Sequence, residues 1–148
     1  INDIADRKSR WSLYLKKLLL IYLGNFIGAV TVGLLALLVA KPAVIEFFQN
    51  MSAAKASAPL LTLFAKGILC NILVCIAILL YRQTANIALL FIPIFVFVLS
   101  GFEHSIADMF VFTFAPNTSV LLPLLIITLG NFVGGAVISL AYRYIKKP

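Results

Sequence analysis

Residues Ile87–Ala115 read IALLFIPIFVFVLSGFEHSIADMFVFTFA. Ile87–Ser100 is an apolar run of 14 residues, Gly101–Asp108 is polar, and Met109–Ala115 is apolar again. A helix of the first run alone rises about 21 Å, too little to cross a hydrocarbon core about 30 Å thick. The whole stretch is long enough, so the pattern predicts one membrane helix broken at 101–108. Gly101 supplies the backbone freedom for the break. Non-helical backbone survives at membrane depth only against protein or a water-filled cavity. Glu103, His104 and Asp108 are ionisable residues inside a span. Each costs about 2.5–3.5 kcal/mol at the membrane centre on insertion scales, which marks the break as functional. It reads as one wall of a permeation path for a small solute.

The rest of the chain agrees with a membrane setting. Of its 148 residues 63% are hydrophobic and 11% charged, with a mean hydropathy of +1.10. A soluble domain of this size cannot hide that much apolar surface. Three further spans are expected at about 18–39, 60–81 and 120–142, giving four crossings in a single transmembrane domain, 1–148. A short surface helix is expected around Val44–Met51 between the first two. The net charge of +7 comes from residues beside apolar runs, which favours membrane topology over a nucleic-acid face. With both ends cytoplasmic, the inner side holds Arg7, Lys8, Arg10, Lys16, Lys17, Arg82, Arg143, Lys146 and Lys147. The outer side holds only Lys41, Lys55 and Lys66. Trp11, Tyr14, Tyr142 and Tyr144 suit an aromatic belt on the inner side.

The first span contains LGNFIGAV (Leu23–Val30) and the last contains LGNFVGGAV (Leu129–Val137). Gly24 with Gly28, and Gly130 with Gly134, are small-residue pairs that let helix backbones approach closely. An Asn lies inside both pairs. By the topology above the two motifs run in opposite directions, so they form an inverted repeat, a transporter plan. The second motif closes a repeat of three spans, and the first should do the same. Two helices are therefore expected before residue 1, making this chain part of a six-helix protomer. The chain does not begin with Met and shows no signal peptide, in keeping with that expectation. The fold class expected is all-α integral membrane: an aquaporin-like inverted-repeat bundle with a broken third helix.

Several chemistries find no support. Cys70 and Cys75 are too close on one helix to bridge and read as buried small apolar residues. One histidine offers neither a haem pair nor a metal cluster, so no metal and no cofactor is expected. No nucleophile elbow is present, and no enzyme activity is expected. Asp108 follows His104 by four residues and would share its helical face.

KGILCNILVC (Lys66–Cys75), SGFEHSIADMF (Ser100–Phe110) and the two LGNF motifs together resemble the formate/nitrite transporter family. The resemblance runs from about Leu13 to Tyr142. It implies homopentamers of six-helix protomers in the inner membrane, each with a pore for small monovalent anions such as formate, nitrite or hydrosulfide. It implies that His104 is the central pore histidine, Asn71 a pore asparagine and Phe97 an apolar constriction. Lys55, twelve residues before Gly67, fits the outer-vestibule lysine better than Lys66 does. Glu103 matches the carboxylate beside the histidine. Asp108 departs from the family, which usually has Asn there. Two rival readings are a neutral-solute channel, against which stands the lack of paired Asn-Pro-Ala turns, and a non-transporting membrane scaffold.

Overall fold

A computed structural model describes residues 11–145. Arg7, Lys8, Arg10, Lys146 and Lys147, counted above for topology, lie outside the described residues. Six α-helices account for most of the described residues. They are α1 (Trp11–Val39), α2 (Pro42–Ala56), α3 (Leu60–Thr84), α4 (Ile87–Leu99), α5 (Ser105–Phe112) and α6 (Leu121–Ile145). A single 3-10 turn, Thr118–Val120, leads into α6. The helices α1, α3 and α6 are long and apolar enough to cross a membrane, whereas α4 is apolar but shorter. The protein is an all-helical integral membrane protein.

The boundaries follow local chemistry. Pro42 opens α2 in the first turn, where its missing N–H costs nothing, and the helix outruns the expected 44–51 segment. Its end is closed by Ser57, whose N–H and Oγ both donate to the Ala53 carbonyl. Between α3 and α4 the chain reverses at Ala85, a left-handed residue with φ 53° whose N–H donates to the Tyr81 carbonyl. Asn86 then caps α4 by accepting the Ala88 N–H at 3.0 Å. The break is shorter than expected: α5 begins at Ser105, so Ser105–Asp108 is already helical. Polar composition there reflects a helix start with Asp108 in its first turn, where a carboxylate is favoured by the helix dipole.

The chain divides into two compact units, residues 11–58 with 105–124, and residues 59–104 with 125–145. In the first unit, Met109, Phe112, Val120 and Leu124 form a buried cluster, with Tyr22 and Ala29 of α1 and Ala56 of α2 against it. Gly33 of α1 receives Thr113: a Cβ there would lie 2.8 Å from the Thr113 Cβ. Phe48 of α2 stacks on Phe114 with ring centroids 4.6 Å apart and meets Phe110 edge-on at 5.2 Å.

In the second unit α3 packs on both α4 and α6. The crossing of α3 and α6 is made by glycine. A Cβ on Gly67 would lie 2.9 Å from the Ile127 carbonyl oxygen, and one on Gly130 2.5 Å from that of Phe64. A Cβ on Gly134 would collide with the Ile68 carbonyl. Without a hydrophobic drive between helices in lipid, such backbone approach supplies the packing. The first motif differs. A Cβ on Gly24 or Gly28 would meet nothing within 4 Å, so the packing role expected for this pair finds no partner among the described residues. Cys70 is buried as expected, but Cys75 is only half-buried.

Gly130→Val should be severely destabilising, by about 1–3 kcal/mol or more, as overpacking of a closed contact. Thermal unfolding in detergent measures it; an unchanged midpoint would show that the α3–α6 crossing is loose.

Candidate functional site

The site begins where α4 stops. Gly101 has φ 63°, the left-handed conformation that glycine adopts without a side-chain penalty. The Phe102 N–H donates to the Phe97 carbonyl at 3.1 Å and the Gly101 N–H to that of Val98 at 3.1 Å. These two bonds form a Schellman closure, which satisfies carbonyls that the helix end would otherwise leave bare. The chain then passes through Phe102–His104 before α5 begins.

Glu103 is 4% exposed, and its backbone is held from the neighbouring helix. The Asn131 Nδ2 group of α6 donates to the Glu103 carbonyl at 2.9 Å and to the Gly67 carbonyl of α3 at 2.9 Å. One buried amide thus ties the break to two helices. The backbone carbonyl of Asn131 in turn accepts from Asn71 Nδ2 of α3. Asn71, expected at a pore, therefore commits one N–H to helix packing and keeps a second. The Glu103 carboxylate lies 3.9 Å from Lys66 Nζ, at the outer limit of an ion pair; the lysine side chain is 39% exposed. His104 is half-buried and lies nearly parallel to Phe97, with ring centroids 6.0 Å apart and planes inclined by 21°. The second unit thus gathers Phe97, Glu103, His104 and Asn71.

Lys55 and Asp108 belong to the first unit, where they form an ion pair at 2.8 Å. The Asp108 side chain is 3% exposed and that of Lys55 17%. Lys66 was set aside on spacing alone, and the structure gives it Glu103. Asn131 was missed as a site-forming residue. The signal was present, an Asn held inside a Gly pair in both repeats, but it was read as a mark of the repeat.

Comparison with known proteins converges on one group. The family model described as formate/nitrite transporter matches residues 1–145. The chain belongs to the formate/nitrite transporter family. It is 38% identical over 143 residues to the nitrite transporter NirC of Escherichia coli, covering 83% of this chain and 52% of the relative. It is 29% identical over 174 residues to the formate channel FocA of Haemophilus influenzae, covering 87% and 58%. A solved FNT family ion channel superposes with a TM-score of 0.84 at 29% identity, covering 97% of this chain and 64% of that one. The chain spans about half the length of the curated relatives it matches.

Asn131→Ala leaves the Glu103 and Gly67 carbonyls without their shared donor. A buried unsatisfied group costs about 1–3 kcal/mol, so the variant should unfold earlier in detergent by an amount of that order. Equal stability of Asn131→Ala and parent would show that other groups hold the break.

Proposed function

We propose that the protein carrying this chain passes small monovalent anions, formate, nitrite or hydrosulfide, across the inner membrane. It does so as a homopentamer of six-helix protomers whose chain ends face the cytoplasm. The observation that carries this reading is the helix break at 100–104, where His104 lies nearly parallel to Phe97 beside a buried Glu103. A scaffold has no need of such a costly arrangement in a span. The names of the relatives, a nitrite transporter and a formate channel, support the choice of solute.

The physics follows from the residues. A bare anion is expensive to desolvate in an apolar neck. Phe97 supplies the dry constriction, a device that excludes hydrated cations. His104 and the remaining N–H of Asn71 offer hydrogen bonds to the anion. Lys55, paired with Asp108 and partly exposed, presents an ammonium to incoming anions. A proton passed from His104 to the anion lets the neutral acid cross the neck cheaply, so transport is proton-coupled at low pH and channel-like at higher pH.

The test is flux in proteoliposomes of the full-length protein, with formate, nitrite, hydrosulfide and glycerol compared side by side. Anion flux without glycerol flux is expected. His104→Phe should flatten the pH dependence of anion flux, and a pH profile identical to the parent's would remove His104 from the mechanism.

A further inference from the structure

The pair Lys55–Asp108 has a geometry that its separate residues do not announce. Lys55 lies in the last turn of α2 and Asp108 in the first turn of α5. Each charge therefore sits at the helix end whose dipole favours it, the cation at a C-terminal end and the carboxylate at an N-terminal end. The ammonium and carboxylate are 2.8 Å apart, close enough for a charge-assisted hydrogen bond. Exposure is unequal, 17% for the lysine side chain against 3% for the aspartate. Solvent reaches the cation and scarcely reaches the anion.

We propose that Asp108 is a tethered competitor for the transported anion at Lys55, and so sets the concentration at which transport saturates. The inference rests on the anion-transport reading above. With Asp108 ionised the pair has no net charge, and its field falls off faster than that of a lone ammonium. An incoming anion gains the full charge of Lys55 only by displacing the Asp108 carboxylate. A tethered group competes at an effective concentration of millimolar or more, so weakly held anions are kept off at low concentration. The same competition shortens the stay of an anion that does bind, because the carboxylate retakes the lysine. Asp108 thus trades affinity for turnover. It is a specificity-determining residue acting through Lys55, not a group in the neck.

The experiment is a cycle in the full-length protein: parent, Asp108→Asn, Lys55→Met and the double variant, with Asp108→Ser as a second neutral replacement. Uptake of formate and nitrite is measured against concentration in proteoliposomes, and binding of 13C-formate by NMR in detergent. Asp108→Asn should lower the half-saturating concentration by about fivefold or more, with a maximal rate unchanged or reduced. Removal of Lys55 should erase that gain, as coupling between contacting residues requires. A half-saturating concentration unchanged or raised in folded Asp108→Asn and Asp108→Ser would overturn the proposal. So would a gain that survives Lys55→Met. If the parent transports neither anion, the transport reading fails, and NMR binding decides the competitor role by the same cycle.

Discussion

Everything at the break depends on one constraint: at membrane depth each backbone N–H and C=O must find its partner inside the protein. Two devices meet part of it. Gly101 turns left-handed so that two N–H groups fold back onto the carbonyls of Phe97 and Val98. Asn131 reaches from α6 to the carbonyl of Glu103. That reach is short, and it works only because α6 lies against α3 with no side chains between. Gly67, Gly130 and Gly134 provide this closeness. The LGNF sequence is therefore one device, in which glycine sets the distance and asparagine uses it. The anchored Glu103 fixes the residue next to it in the chain, His104.

The spans were legible because lipid demands long apolar helices and tolerates few departures. The break was legible because glycine, ionisable residues and a run too short to cross coincide in Ile87–Ala115. Its extent was not. Ser105–Asp108 looks like loop by polarity, yet serine and aspartate are residues that helix starts favour. The inverted motif illustrates a different boundary of inference. Leu23–Val30 and Leu129–Val137 are nearly the same string, but Gly130 closes on α3 while Gly24 meets none of the described residues within 4 Å. A motif states what a helix face can do; the neighbour that uses it is a matter of three-dimensional placement.

The lysines were harder. A lysine head sits at the end of four flexible carbons, so spacing along the sequence says little about its partner. By spacing Lys66 is a poorer match than Lys55 to a functional position, yet each lies by a carboxylate near the break: Glu103 at 3.9 Å for Lys66, Asp108 at 2.8 Å for Lys55. The carboxylates flank His104 in the sequence, one on its N-terminal side and one in the helix that follows. Neither pairing is visible from periodicity, because one joins two helices and the other joins a helix to the segment between helices.

The two pairs share an asymmetry that bears on the sign of the solute. Burying both members of an ion pair costs more desolvation than attraction always repays. Here the carboxylates are 3% and 5% exposed, while their lysines are 17% and 39% exposed. The long aliphatic stem lets the ammonium keep water while the short carboxylate is sealed, which lowers that cost. The consequence is electrical as well as energetic. Each pair is neutral as a whole, but the member a solute can touch is the positive one. In the proposed anion path, each exposed ammonium is a donor that an anion can compete for and a charge that repels a cation. Under that proposal, discrimination by sign at either pair needs no net charge, only unequal access to two opposite charges.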